Sequence, residues 1–111
     1  MRKKITTDSR DAVLTRVRAL CLALPGTPET LSWGHPNFRT KKGIFVTCER
    51  IAGRPSIAFR LELDEVQHFL TMKGFFVTPY GRGRWVSLDA SGRLNWKLIT
   101  TLIRKSHAIV S

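Results

Sequence analysis

The stretch Thr78-Pro79-Tyr80-Gly81-Arg82-Gly83-Arg84-Trp85 packs two arginines, two glycines and two aromatic rings between apolar segments. An arginine fork matches phosphate oxygens or the edge of guanine, and an aromatic ring stacks on a base or on a guanidinium. Glycines allow a tight turn and a close approach of backbone to ligand. Lys41 and Lys42 occupy a second candidate turn, closed by Gly43. The chemistry these residues share is recognition of a polyanion. Arg82 and Arg84 on one turn and Lys41 and Lys42 on the other are the expected phosphate contacts. Arg39, Arg54 and Arg60 are flanking candidates, and Tyr80 and Trp85 are stacking or shape elements. Nothing in the pattern identifies base readout, so backbone contacts without strong sequence preference are expected. The competing reading is structural: Pro79 and Gly81 build a turn, the two rings lie in the core or on a sheet face, and the arginines are solvated.

A second cluster, Trp33, His35, Pro36 and Phe38, holds rings that could stack on unpaired bases. Residues of this kind more often fill a small core, and that is the expectation here. A small-ligand pocket near Trp33 and His35 would need a concave aromatic site. No metal is expected, because His35, His68 and His107 lack ligand spacing and Cys21 and Cys48 add none. There is no nucleophile elbow and no P-loop, and Gly81-x-Gly83 is too short for a dinucleotide fingerprint. Of the eight carboxylates, Asp8 and Asp11 suit a helix start, Asp64 a cap and Asp89 a turn. The chain reads as non-enzymatic and without a cofactor.

The whole composition agrees with a polyanion partner. Nineteen Lys and Arg against eight Asp and Glu give +11, with an isoelectric point near 10.9. Such a field attracts DNA, RNA, anionic lipid or an acidic protein. The 111 residues make one domain, 1–111, and the 42% apolar content supports a packed core. No apolar run approaches the roughly 20 residues that span a bilayer, and the start, Met1 to Asp8, has no apolar signal region. A cytoplasmic location with no membrane partner is therefore the expectation. Cys21 and Cys48 read as buried reduced thiols, with little to support a bridge.

The elements that must position these residues follow from periodicity. Residues 8–24 carry Val13, Val17, Leu20, Cys21 and Leu24 at helical spacing, with Thr7 or Asp8 as N-cap and Pro25-Gly26-Thr27-Pro28 as the stop. Leu31 to Trp33 is a short strand candidate, interrupted by Gly34-His35-Pro36. Asn37 to Thr40 and Ile44 to Glu49 flank the lysine turn, and a loop from Arg50 to Arg54 leads into Ser56 to Leu61. There Ile57, Phe59 and Leu61 share one face. A short helix over 64–72 has capping-box spacing at Asp64 and Gln67. Phe75 to Val77 and Trp85 to Leu88 are strands, and a last helix runs from Trp96 to Val110 with Asn95 as N-cap. The order predicts an α+β single-domain, two-layer sandwich, an antiparallel sheet with flanking helices.

Taken in order, several segments resemble the YjbR/MmcQ-like family: Leu24-Pro25-Gly26-Thr27 with Glu29 nearby, Trp33-Gly34-His35-Pro36-Asn37-Phe38-Arg39, Ile44-Phe45, Lys73-Gly74-Phe75-Phe76, Pro79-Tyr80-Gly81, Trp85-Val86-Ser87-Leu88-Asp89 and Asn95-Trp96. The resemblance covers nearly the whole chain. It implies a double-wing α+β fold and a DNA-binding role. One departure stands out: many relatives carry glycine directly before the motif tryptophan, where this chain has Arg84, with its own glycine one place earlier at Gly83. The leading reading is a non-enzymatic protein that contacts duplex DNA mainly at phosphates through two basic hairpin wings. The alternatives are a chaperone-like module for an acidic protein partner and a small-ligand-binding domain.

Overall fold

Apolar periodicity and turn chemistry resolve into three helices and six strands in the computed structural model, which describes residues 9–111, with side chains from residue 12 onward. They run α1 (Ser9–Leu22), β1 (Glu29–Ser32), β2 (His35–Thr40), β3 (Gly43–Ile51), β4 (Arg54–Arg60), α2 (Leu63–Phe69), β5 (Phe75–Val77), β6 (Trp85–Asp89) and α3 (Trp96–Val110). The expected N-cap at Thr7 or Asp8 and the roles given to Asp8 and Asp11 lie outside the described residues and side chains. The strands form one antiparallel sheet in the order β1-β2-β3-β4-β6-β5.

Two-residue turns join the first four strands. Trp33-Gly34 and Ala52-Gly53 both place two successive residues in the left-handed region (φ 56 and 81, 53 and 80), the conformation whose twist matches paired strands. This corrects two expectations. His35 and Pro36 belong to β2 rather than interrupting it, and the stretch from Arg50 to Arg54 is a hairpin rather than a loop. A non-glycine residue held left-handed costs about 1–2 kcal/mol, so Trp33 and Ala52 both carry local strain.

Alternation along β4 sends Ile57 and Phe59 to one face, where they neighbour Cys48, Val46, Val86 and Leu88. All three helices pack there: Val17 and Cys21 from α1, Val66 and Phe69 from α2, and Ile99, Leu102, Ile103 and Val110 from α3. The register shifts by one residue between Phe38 and Arg39, leaving Phe45 as the extra residue on β3. This bulge lets the consecutive residues Phe45 and Val46 both be buried. Phe45 meets the His107 ring of α3 edge-on at 5.2 Å. Both cysteines are free, and burial pushes their thiols up, Cys48 to about 12.

The helix ends settle two further expectations. The capping box of α2 is formed by Glu62 and Glu65, two residues before the expected Asp64 and Gln67 pair. Leu61 N donates to Arg84 O at 2.8 Å, which ties the end of β4 to the start of β6 and fixes where the helix begins. Asn95 caps α3 as expected, accepting from Leu98 N at 3.1 Å. Asn95→Ala is expected to lower stability by about 1 kcal/mol. A urea denaturation midpoint that does not move would contradict this.

Candidate nucleic-acid interface

The register decides where the candidate side chains stand. On the face away from the helices, Asn37, Thr47, Ala58, Ser87 and Phe76 lie side by side across five strands. Two residues on along the same strands, that face presents Arg39, Arg60 and Trp85 toward one end, and four residues from Ala58 it presents Arg54 toward the other. So Arg39, Arg54, Arg60 and Trp85, scattered in sequence, share one face. No described helix covers it. Its middle is nonetheless buried: Asn37, Thr47, Ala58 and Ser87 are each below 5% exposed. These small side chains make a shallow floor.

The 78–84 connection roofs that floor. Thr78 and Ser87 hydroxyls are 2.7 Å apart and buried. Tyr80 reaches across β4 to β3, where its hydroxyl donates to Glu49 Oε1 and lies 3.4 Å from Thr47 Oγ1. Gly81 is pressed against Trp85: a Cβ there would lie 2.1 Å from the indole ring. Gly81, Arg82 and Gly83 are all left-handed (φ 85, 52 and 80), and Arg84 N closes the curl onto Gly81 O at 3.0 Å. The stretch is therefore a curl folded back over the sheet face. Tyr80 and Trp85, 6.2 Å apart, stand as sheet-face aromatics with Tyr80 partly exposed.

The two carboxylates of this face are both engaged. Glu49 takes the Tyr80 hydroxyl on one oxygen and lies 3.3 Å from His35 Nε2 with the other. Burial, followed by the hydrogen bond to Glu49, pushes the Tyr80 phenol up to about 12. Asp89 is held below the usual carboxylate range by bonds from the Ser91 hydroxyl and amide and, more weakly, by Arg54 at 3.9 Å. Arg54 also lies over the Phe76 ring at 4.0 Å. By contrast, Arg39 and Arg60 donate only to the backbone oxygens of Thr40 and Leu61. Among the described residues, neither they nor Arg82, Arg84 or Lys41 enters an ion pair.

The lysine turn and the 78–84 curl lie at the same end of the sheet, since Val46 neighbours Phe59 and Phe59 neighbours Val86. Lys41 is exposed. Lys42 Nζ donates to Ser111 O at 3.0 Å, and the Thr40 hydroxyl donates to Val110 O, so this turn is docked on the C-terminal end of α3. A cation there also meets the negative end of the helix. The aromatic cluster divides differently from the expectation of core. Phe38 is fully buried, but Trp33 is 95% exposed at the tip of its turn. His35 and Pro36 line a cleft of about 500 Å³ together with Trp33, Glu49 and Arg50. Glu49 and Arg50 were not singled out from the sequence. The alternation through β3 was the available signal, and it needed the bulge to be read. Among the described residues no group of three or more His, Cys, Asp or Glu could hold a metal, and no helix is long and apolar enough to cross a membrane.

A family model described as YjbR matches residues 22–109. The fold is similar to a crystal structure of a Pseudomonas syringae protein, with TM-score 0.76 and 14% identity over 87% of this chain and 97% of that one. It is similar also to a Deinococcus radiodurans protein, with TM-score 0.75 and 15% identity over 87% of this chain and 77% of that one. Among curated proteins, none matches this sequence.

Two measurements check the roof. Tyr80 is the chain's single tyrosine, so phenolate absorbance reads it alone. Its midpoint is expected near 12 rather than 10, and Glu49→Gln should bring it down. Because the folded value is the raised one, this group's contribution to stability is present below pH 10 and is lost as pH climbs toward 12. Gly81→Ala, which meets both the indole and a left-handed backbone, is expected to cost more than about 2 kcal/mol. Wild-type stability and an unchanged near-ultraviolet tryptophan signal would refute that.

Proposed function

The chain belongs to the YjbR family, and on that footing we propose that it is a non-enzymatic protein that binds duplex DNA, mainly at phosphates. The observation that carries this reading is the gathering, around one end of the sheet, of cations that enter no ion pair among the described residues. Arg39 and Arg60 stand on the outer face two strands apart, about 10 Å by strand spacing. Arg82 and Arg84 come from the adjacent curl, and Lys41 from the neighbouring turn. Lys42 contributes charge while holding the end of α3, and Arg54 extends the cationic face toward the other end, partly neutralised by Asp89.

Physical chemistry favours phosphate over base readout at this end. The cations stand on a broad sheet face and on short turns, whereas groove readers insert a helix or a β-ribbon. Cations without local carboxylate partners keep their charge for a polyanion and release its counterions on binding. Tyr80 and Trp85 support the surface from beneath: they hold the curl in place and give it a fixed shape. The nearest carboxylates along the chain, Glu62 and Asp64, open α2, where Glu62 is committed to its capping box.

The test is fluorescence anisotropy with duplex DNA, single-stranded DNA and RNA across a salt series. The logarithm of the binding constant should fall with log salt by about 0.9 per phosphate neutralised, so about 4.5 in all if the five unpaired cations engage. Arg82→Glu with Arg84→Glu should weaken binding on every sequence alike and flatten the slope by about 1 per residue. No binding at low salt would end the proposal. Unchanged affinity in the double variant would move the site elsewhere, and capture of an acidic protein that survives nuclease would favour a protein partner instead.

A further inference from the structure

The cleft at the other end of the sheet points to a second kind of recognition. It opens between Val13 and Leu14 of α1 and the paired strands, with the Trp33-Gly34 turn at its rim and Arg50 beside it. Its volume, about 500 Å³, falls within the range of small-molecule sites. Two features of its lining are unusual together.

Trp33 is the first. It holds a left-handed backbone (φ 56) that asparagine or glycine would adopt with less strain, and its side chain is 95% exposed. The fold gains no burial from the ring and bears the strain of its backbone. Strain of this kind, retained without a packing return, is a reason to look for a function. Arg50 is the second: an exposed cation on the helix side of β3, with no ion pair among the described residues.

We propose that this cleft binds a nucleotide, with the base stacked on Trp33 and the phosphate taken by Arg50. The chemistry is that of a flat ring with an anion attached. It has two sources, a free mononucleotide or an unpaired nucleotide of a nucleic-acid strand. The residues involved lie at the opposite end of the sheet from Lys41, Arg82 and Arg84, so the inference does not rest on the phosphate reading above.

The experiment uses the full chain and follows tryptophan fluorescence, in which Trp33 is the most exposed of three indoles. The probes are AMP, adenosine, inorganic phosphate, a single-stranded adenine oligonucleotide and an intact duplex. AMP or the oligonucleotide should protect Trp33 from a collisional quencher. Comparable affinity for both identifies a free nucleotide, and binding of the oligonucleotide alone identifies an unpaired residue in a strand. Trp33→Asn should lose about tenfold or more in affinity, the scale of one base stack, while its melting temperature stays level or rises. Arg50→Ala should reduce affinity for AMP toward that for adenosine. The inference is overturned if neither AMP nor the oligonucleotide binds, or if Trp33→Asn binds both as wild type does. Binding of AMP without any binding of duplex would keep this inference and end the previous one.

Discussion

The packing of Ile57 and Phe59 sets the terms for the rest of the molecule. Phe59 lies between Val46 and Val86, and Ile57 between Cys48 and Leu88, all on the helix side of the sheet. Each buried ring or branched chain of this size contributes about 1.5–3 kcal/mol relative to exposure. A slip of one residue would turn the whole set toward solvent, so the register of the central strands is strongly specified. That same alternation leaves Ala58 facing the other way, flanked by Thr47 and Ser87. The described helices cover one face only. What happens on the second face follows from having small residues there.

Small residues make a floor shallow enough for a short connection to lie on it. Tyr80 can extend across β4 only because Ala58 has no bulk to block it, and its hydroxyl then finds Glu49, an acceptor on β3. Gly81 allows the backbone to rest on the Trp85 ring, which no side chain at that position would permit. Glu49 is drawn in from two directions, by Tyr80 and by His35, and so its charge is spent inside the face. The arginines farther along the strands have no such partner. Packing, more than any arrangement made for a ligand, thus accounts for cations left free at one end of the sheet.

What could be read from the sequence was local. The stripe of α3 and its Asn95 cap needed only helical spacing, and the two faces of β4 needed only alternation. The position of the α2 capping box is ambiguous in the sequence, because Asp64–Gln67 and Glu62–Glu65 both have the required separation. The choice between them is made by the bond from Leu61 to Arg84, more than twenty positions along the chain. The bulge at Phe45 was likewise out of reach, since an extra residue exists only relative to a paired strand. For the candidate site, the residue types were legible and their grouping was not. Arg39, Arg54, Arg60 and Trp85 come together through β-ladders between distant segments. Trp33 looked like a core residue because tryptophan usually returns its area to the fold, and only the turn geometry reveals that here it does not.

Among the described residues, three non-glycine residues are left-handed: Trp33, Ala52 and Arg82. Two of them belong to the candidate sites, one at each end of the sheet, and β2 measures the separation, six residues or about 20 Å. The Debye length at physiological salt is about 8 Å, so charge at the lysine and arginine end is largely screened from a ligand at the Trp33 cleft. Two ligands would bind there almost independently. A nucleic-acid strand touching both would have to run along the strands, and at about 3.4 Å per step it would place roughly six nucleotides between the phosphate contacts and the stacked base. The length of strand at which affinity rises is therefore a geometric consequence of the fold. Bridging the two ends demands more than the cations alone can supply, because it needs an unpaired base at one end of a segment gripped by its backbone at the other.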